Sequence, residues 1–245
     1  NVNSVTGQII PGKIEGANFT DSLLVGHSTH GTLDNAINNT GVGIAALDAL
    51  TSGDYNTGIG DRAASAVSSG SSNTALGSNS LSAVTTTTNN TAIGKNSLKL
   101  VTGAGNIGLG YNSGANITSG NGNVMIGLTD ADSATGDKQL KIADGSSGSL
   151  VWIKGDSSGN LTFAGDVTVG DDLNLTTDSA VINFGADSDT TLTHTDGTGL
   201  TLNSTNKLCF NDASQFIQGT SATVLSIGAT DEIDLTATAV DLNGT

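Results

Sequence analysis

The stretch Asn39-Thr-Gly-Val-Gly43 decides the fold of this chain, because variants of it recur at a nearly constant interval. The interval is seventeen residues, except that the step from Asn90 to Asn106 is sixteen. A degenerate first copy, Ser22-Leu-Leu-Val-Gly26, precedes Asn39 by seventeen residues. The six clear copies begin at Asn39, Asn56, Asn73, Asn90, Asn106 and Asn123. Repetition with this period indicates a solenoid, in which each repeat buries its apolar face against its neighbours.

Two positions of the repeat keep their chemistry in every copy. The fifth position is always glycine, which implies a positive φ or a backbone approach too close for a Cβ atom, so we predict a bend after a short strand. These glycines are Gly26, Gly43, Gly60, Gly77, Gly94, Gly110 and Gly127. The fourth position is always aliphatic, and we assign it to the core: Val25, Val42, Ile59, Leu76, Ile93, Leu109 and Ile126.

A second apolar column lies eleven residues after each repeat start. We assign it to the core as well: Leu33, Leu50, Val67, Val84, Val101 and Ile117, with Ala134 as a weak last member. A third position between the columns holds Leu47, Leu81 or Leu98 in three copies. Seventeen residues thus predict one coil of a β-helix or β-roll, with two short strands, an apolar plug and a turn. The asparagine at the repeat start predicts either an Asn ladder along the stack or a left-handed turn residue.

The composition favours an all-β fold over a compact globule or a disordered chain. Aromatic residues make up 3% and charged residues 13% of the 245 residues, and Pro11 is the sole proline. Low hydrophobicity with net negative charge is typical of disorder. However, 36% of the residues are apolar and they recur at regular intervals, which disordered linkers do not show. No run rich in Ala, Leu, Glu and Lys is long enough to predict a helix.

The organisation changes after the repeats. We predict an N-terminal connecting segment over 1–20, seven repeats over 21–136, a transition β segment over 137–164 and a second β-rich shaft region over 165–245. In the last two regions short strands alternate with Gly, Asp and Ser turns. The predicted strands are Leu140–Ile142, Leu150–Ile153, Leu161–Phe163, Val167–Val169, Leu173–Leu175, Val181–Phe184, Leu192–His194, Leu200–Leu202, Leu208–Phe210, Val224–Ile227, Ile233–Leu235 and Val240–Leu242.

The charge distribution disfavours nucleic acid and anionic membranes as partners. Residues 1–130 carry seven acidic and four basic residues, and residues 131–245 carry sixteen and four, for a net charge of −15. A phosphate-binding surface needs clustered Lys and Arg. The sequence shows no membrane-spanning run, so no membrane insertion is expected. It also lacks a signal peptide and a starting Met, so we expect a segment of a longer protein or a processed product.

The search for chemistry gives no catalytic residue and no cofactor site, and we predict that the chain is not an enzyme. His27 and His30 lie in the degenerate first copy, where a surface turn or cap explains them, and His194 alternates with threonines. Cys209 stands alone beside Phe210, which predicts a small apolar packing role rather than a nucleophile. Calcium is a minor alternative for three Asp-rich turns, although none has the twelve-residue loop of an EF-hand. These turns are Asp130-Ala-Asp132, Gly170-Asp-Asp172 and Asp187-Ser-Asp189.

One coil supplies about three sizeable apolar side chains, which is a thin core. A buried aliphatic side chain contributes roughly 1.5–3 kcal/mol, whereas ordering each residue costs roughly 1–2 kcal/mol of backbone entropy. Association of chains about a common axis would bury further faces. We therefore expect an intertwined or closely packed homotrimer, although these numbers do not separate a trimer from a dimer.

With these residues laid out, the chain resembles bacteriophage tail-fibre proteins, especially those of marine phages. The resemblance covers 21–136 well, through blocks such as Asn39–Leu47 and Asn90–Leu98, and 137–245 more loosely, through Gly165–Leu175. The five-residue core is also similar to the head repeats of bacterial trimeric autotransporter adhesins, although those repeats are typically shorter. Both resemblances imply a homotrimeric extracellular fibre that contacts a surface.

The function that the phage resemblance implies is a structural fibre of the virion tail, which contributes to attachment to the host. Its expected partners are other copies of the chain, other virion tail proteins and a glycan or protein of the host cell surface. A bacterial surface adhesin is the first alternative, and a fibre-borne polysaccharide depolymerase is the second. Ice binding by the threonine column, Thr40, Thr57, Thr74 and Thr91, is disfavoured because Leu23, Ile107 and Val124 replace threonine at its ends.

Overall fold

A computed structural model describes residues 12–16, 18–26, 32–177, 180–184, 190–197, 199–202, 206–221 and 223–234. The chain divides into two compact units, with the boundary between Thr168 and Val169. Each unit is described below by itself.

The first unit contains twelve β-strands in its described residues. They are β1 Gly12–Gly16, β2 Phe19–Val25, β3 Ala36–Ile37, β4 Thr40–Val42, β5 Thr57–Ile59, β6 Thr74–Leu76, β7 Thr91–Ile93, β8 Ile107–Leu109, β9 Val124–Ile126, β10 Leu140–Ala143, β11 Val151–Gly155 and β12 Leu161–Phe163. All twelve belong to one sheet, in which β3 pairs with β2 and the others follow one another in chain order.

The centre of this sheet is a β-solenoid of about seven turns. Strands β2, β4 and β5 to β10 pair in parallel, and their register joins equivalent positions of successive repeats, for example Thr57 with Thr74 and Ile59 with Leu76. Antiparallel strands complete the sheet at both ends, where β1 pairs with β2 and β10 leads into β11 and β12. The predicted all-β repeat fold is therefore confirmed.

The second strand predicted for each coil does not form. The stretch from Ile44 to Leu50 consists of turns, and the Leu50 N–H donates to the Leu47 carbonyl within it at 3.2 Å. Isolated hydrogen bonds still link the coils here, such as Thr51 N–H to the Ser68 carbonyl at 3.0 Å. The reason is the plug residue, since Leu47 has a φ of 56°, which is incompatible with an extended strand. Each coil thus has a single strand and a turn-rich return.

The prediction that the fourth repeat position belongs to the core is wrong for a single chain. These side chains point out of the solenoid, with 38% of Val42 and 43% of Leu76 exposed. The second residue after the asparagine points inward instead, because side chains alternate along a strand. The outward column is Val25, Val42, Ile59, Leu76, Ile93, Leu109 and Ile126, and the inward column is Leu24, Gly41, Gly58, Ala75, Ala92, Gly108 and Met125.

The core of the coils comes from the turn-rich return and the inward column. The buried side chains of the return are Leu33, Leu50, Val67, Val84, Val101 and Ile117, together with the plugs Leu47, Ala64, Leu81 and Leu98. The plugs Leu81 and Leu98 have φ values of 48° and 49°, which bulky residues rarely adopt. Small residues at the inward strand positions leave the room that these leucines fill.

The described residues of the second unit form two three-stranded antiparallel sheets. The first consists of β13 Val181–Phe184, β14 Thr190–Thr195 and β15 Gly199–Leu202. The second consists of β16 Leu208–Phe210, β17 Asp212–Ser221 and β18 Val224–Gly228. The predicted strands Val167–Val169 and Leu173–Leu175 do not form, since 164–177 is described without strand. Residues 235 and 240–242 of the predicted strands lie outside the described residues.

Candidate interaction surface

The outward aliphatic column continues beyond the repeats and forms an apolar stripe along the first unit. Register pairs extend it from Ile126 to Ile142, then to Ile153 and Phe163. We call this set the apolar stripe: Val25, Val42, Ile59, Leu76, Ile93, Leu109, Ile126, Ile142, Ile153 and Phe163. Ten adjacent strands spaced about 4.8 Å apart make it roughly 45 Å long.

A second outward column runs beside the apolar stripe at the other outward position of each strand. It is threonine in the middle, from Thr40 to Thr91, and becomes apolar at Ile107, Val124 and Leu140. At the last strand Leu161 occupies this column with 57% of its surface exposed. The outward face of the sheet therefore has one apolar column along its whole length, and its second column also becomes mainly apolar toward β12.

A ladder of buried asparagines holds the strands of this face in register. In each step the Oδ1 atom of one asparagine accepts the backbone N–H and the Nδ2–H of the next, for example from Asn73 to Asn56, both at 3.1 Å. The asparagines are Asn39, Asn56, Asn73, Asn90, Asn106 and Asn123, all fully buried. Of the two sequence interpretations, the ladder is confirmed, and the left-handed turn residues are neighbours such as Asn38 and Asn89.

Sequence reasoning identified the first end of this ladder as the degenerate copy that begins at Ser22 and missed the other end. At the first end the Ser22 hydroxyl accepts the Asn39 backbone N–H at 2.7 Å, so serine occupies the asparagine position. At the other end the Gln139 backbone N–H donates to Asn123 Oδ1 at 2.8 Å, and its side-chain amide donates at 3.2 Å. The sixteen-residue step from Asn123 to Gln139 was the available signal.

A second glycine column also escaped sequence reasoning. Its carbonyl oxygens accept the Nδ2–H groups of the ladder, as Gly70 does from Asn56 at 2.8 Å. A Cβ atom on Gly53 or Gly120 would overlap the carbonyl oxygen of the equivalent residue in the next coil. The column is Gly53, Gly70, Gly103, Gly120 and Gly136, with Thr87 in place of the glycine in one coil. Each of these glycines lies three residues before a ladder residue, which is the pattern that would have revealed it.

The invariant glycines of the repeat pack backbone against backbone. Gly77 has a φ of 132°, and a Cβ atom on it would lie 2.6 Å from the Gly94 carbonyl carbon. Both demands made by the sequence, a positive φ and a close approach, are therefore present at the same residue. The column turns the chain sharply at the end of each strand and keeps the outward face of successive strands aligned.

A salt-bridged lysine lies at the end of the solenoid beside a cavity of about 620 Å³. The Lys141 side chain donates to the Asp130 carbonyl oxygen at 2.9 Å and forms an ion pair with Asp132. Lys154 lies on the other oxygen of Asp132 at 3.6 Å. The hydrogen bond from Lys141 is the main cause that lowers the pKa of Asp132. Both acidic residues of this possible calcium turn therefore have protein partners. The Asp132 carboxylate binds the two lysines, and Asp130 Oδ1 accepts the Asn116 N–H.

A second carboxylate organises the loop between β10 and β11. Asp144 accepts the backbone N–H groups of Ser147 at 2.7 Å and Leu150 at 3.0 Å. These hydrogen bonds to the charged form lower the pKa of Asp144 well below its usual range. The loop joins the two strands through which the apolar stripe leaves the repeats, so Asp144 fixes the geometry of that continuation.

The residues with possible chemistry that the structure describes do not form a common site. His27, His30 and Asp187–Asp189 lie outside the described residues, and His194 lies in β14. Cys209 is exposed rather than packed in a small apolar space, contrary to the sequence prediction. Among the described residues, no group of three or more His, Cys, Asp and Glu side chains is placed to hold a metal ion. In that same part of the chain no helix has the length and hydrophobicity to cross a bilayer.

The chain was also compared with known proteins. No protein-family model, curated protein sequence or solved structure matches it.

Proposed function

We propose that the chain is a structural segment of a homotrimeric phage tail fibre, which extends from the virion and contributes to attachment to the host surface. The observation that carries the proposal is the apolar stripe. The largest apolar patch on a soluble monomer is typically about 300–600 Å² and often marks an interaction site. Outward side chains along a strand are roughly 7 Å apart, so the stripe is roughly 7 Å wide and offers roughly 300 Å² of planar apolar surface.

A second copy of the same chain fits this surface better than an unrelated partner. The exposed side chains recur with the spacing of the strands, and an identical solenoid placed alongside presents side chains with the same spacing. The repeat also keeps this column aliphatic while neighbouring exposed positions vary freely, for example Ile44, Asp61, Ser78 and Lys95 directly after the glycine. Self-association explains why one exposed column is aliphatic in every copy.

The charges of the chain agree with a fibre that presents polar surfaces outward. The net charge of −15 keeps assembled β structure soluble and opposes further association. A trimer also multiplies weak contacts to a cell-surface glycan or protein through effective concentration. The partners proposed are therefore two other copies, further virion tail proteins and a host surface glycan or protein, in an extracellular setting.

The assignment to a phage rests on the resemblance of the repeat blocks to tail-fibre proteins. A bacterial adhesin would use the same stripe, and the two are separated by the rest of the polypeptide: a virion-binding domain supports the phage fibre, whereas a secretion signal and an outer-membrane anchor support the adhesin. A depolymerase would require turnover of a polysaccharide that is lost on changing one acidic residue.

Light scattering on the purified chain tests the proposal. A mass near three times 24.2 kDa is expected, and Ile59→Asp on the apolar stripe should shift the mass to that of a monomer at the same concentration. The matched control is Ile44→Asp, because Ile44 is also aliphatic and exposed, at 72%, but lies off the stripe. A monomeric parent, or equal masses for the two variants, would rule out association through the stripe.

A further inference from the structure

We infer that the two small sheets of the second unit acquire their hydrophobic core only from the same sheets of other copies of this chain. This inference rests on the proposed homotrimer and assigns a second region to its assembly. No described side chain from Val151 to Asp234 is buried. The solenoid coils, by contrast, each contain fully buried side chains. The difference requires an explanation, because an apolar sheet face left in water gives no hydrophobic stabilisation.

The first sheet, β13 to β15, has one apolar and one polar face. Directly paired residues share a face, and Ile182 pairs with Leu192, which pairs with Leu202. On the other face Thr193 lies between Val181 and Thr201. The apolar side chains of the first face are Ile182, Phe184, Leu192, Leu200 and Leu202, and Phe184 and Leu200 are 51% and 72% exposed. Thr190, opposite Phe184, and His194, opposite Leu200, lie on the same face.

The second sheet, β16 to β18, repeats this design. Ile217 pairs with Leu208 on one side and with Ile227 on the other. On the opposite face Ser226 pairs with Gln218. The apolar side chains of this face are Leu208, Phe210, Ile217, Leu225 and Ile227, all of them at least 38% exposed. Gln215, two residues before Ile217 on β17, lies on the same face. An apolar residue of the polar face, Phe216, is covered by the ammonium group of Lys207 at 3.8 Å from the ring centroid.

Sheets of this size need a covering layer to be stable. A small sheet gains independent stability only by burying a hydrophobic face. In the single chain eight of these ten apolar side chains are at least 37% exposed, and Leu192 and Leu202 are half-buried.

The area of the faces favours copies of the chain as the covering partner. A face of three strands and about four residues measures roughly 14 Å by 14 Å, so each sheet offers roughly 200 Å². A specific interface buries about 800 Å² on each partner, which one small sheet cannot supply to an unrelated protein. In an association of copies each of these surfaces meets its own counterpart, so the two sheets and the apolar stripe add to roughly 700 Å² per chain and approach that area.

The consequence is a difference in when the two units fold. The solenoid has its core within one chain, so it folds without a partner. The sheets of 181–228 become ordered only as copies associate, because only then are their apolar faces removed from water. Assembly and folding of the second unit are then one event, as in obligate oligomers.

Hydrogen exchange of the 245-residue chain, measured by mass spectrometry together with the solution mass, tests this inference. The double variant Leu192→Asp with Ile227→Asp charges both apolar faces. We expect exchange over 181–228 to accelerate by about 100-fold or more, with coils 40–126 protected as in the parent. The matched control is Thr193→Asp with Ser226→Asp, which charges adjacent residues on the polar faces and should exchange as the parent does. In the unmodified chain, dilution should accelerate hydrogen exchange over 181–228 to the same extent as it lowers the fraction of oligomer.

The outcomes separate the inference from the proposed function. Slow exchange over 181–228 in the double variant, or in a diluted monomer, would overturn the inference. If the mass of the parent were still near three chains, the proposed trimeric fibre would remain supported through the apolar stripe alone. If the parent chain were monomeric and exchanged rapidly over 181–228, the proposed homotrimer would be wrong. The rapid exchange would still support the inference that these sheets have no hydrophobic core within one chain. A monomer with protected sheets would overturn both.

Discussion

The solenoid and the small sheets place the same kind of strand in opposite surroundings. In the coils each strand is stacked between neighbours, so a turn-rich return closes a core of Leu, Val and Ile beneath it. In the sheets of 181–228 the strands alternate apolar and polar side chains just as clearly, but no described side chain there is buried. The comparison shows that alternation along a strand defines two faces and does not determine which face is covered.

The two regions also treat polar groups differently. The solenoid buries the asparagine ladder completely and satisfies it with backbone groups of adjacent coils. The sheets keep their hydroxyl groups on exposed faces, as in the pair Thr195 and Thr201. A buried polar ladder stabilises only while every member has its partner. The solenoid should therefore be sensitive to single changes inside one chain, whereas the sheets should be sensitive to changes that block association.

The largest loss of solenoid stability is expected from a change in the glycine column that begins at Gly26. Gly77→Ala combines a φ of 132° with a Cβ atom 2.6 Å from the Gly94 carbonyl carbon, so the neighbouring coil must move. We expect a loss of roughly 4 kcal/mol in the free energy of local opening. Hydrogen exchange of Thr91 and Gly94, whose N–H groups bond to Asn106 and Leu76, measures it.

Gly105→Ala is the matched control for this change. Gly105 also has a positive φ, of 69°, but a Cβ atom there would be 3.9 Å from the nearest atom. The control should lose only about 1 kcal/mol, the cost of the left-handed conformation. Equal losses for the two variants would show that the close approach of coils does not determine stability.

The next largest effect is expected from the ladder. Asn73→Ala removes the acceptor of the Asn90 N–H at 3.1 Å and the donor to the Thr87 carbonyl at 3.0 Å. Leaving buried groups unsatisfied costs about 1–3 kcal/mol each, so we expect a loss of roughly 3 kcal/mol. Chemical denaturation followed by exchange of the Asn90 amide gives the value.

Asn79→Ala provides the comparison for the ladder variant. Its side chain makes a long contact of 3.4 Å to the Ser78 hydroxyl, and its φ is 55°. The change should cost about 1 kcal/mol through the backbone alone. If Asn79→Ala destabilised the coils as strongly as Asn73→Ala, the ladder would have no special role.

The repeat predicted the solenoid but assigned its aliphatic column to the wrong side. The period of seventeen residues fixes the stacking, and the invariant glycines indicate the bend, because both are properties of one chain. The orientation of Ile59 and Leu76 depends on which neighbour is small enough to point inward. Gly58 and Ala75 are the small residues, and the leucine plugs fill the space beside them. Apolar character alone does not separate a core from an interface, since both exclude water.

The ends of the repeat were harder to predict for a related reason. Ser22 and Gln139 continue the ladder with other chemistry, because the position requires an oxygen acceptor at the correct distance rather than asparagine as such. The continuation of the apolar stripe to Phe163 was also hidden, since strands β11 and β12 pair antiparallel and no longer follow the repeat. Only the register of the sheet shows that these residues share one face.

The smallest predicted effect is a stabilisation inside the solenoid. Thr87 occupies the second glycine column, and its Oγ1 atom is buried without a hydrogen-bond partner among the described residues. Thr87→Val keeps the shape of the side chain and removes the unsatisfied hydroxyl. Since burying an unpaired hydroxyl costs about 1–3 kcal/mol, we expect the variant to gain about 1 kcal/mol.

The gain should be confined to the solenoid, which sharpens the contrast with the second unit. Exchange of the Asn90 and Thr91 amides should slow by about fivefold, while exchange over 181–228 should stay as in the parent. Thr86→Val, at the exposed neighbouring position, serves as the control and should change neither. A loss of stability for Thr87→Val would contradict the prediction, because it would show that the hydroxyl makes a hydrogen bond that an apolar side chain cannot replace.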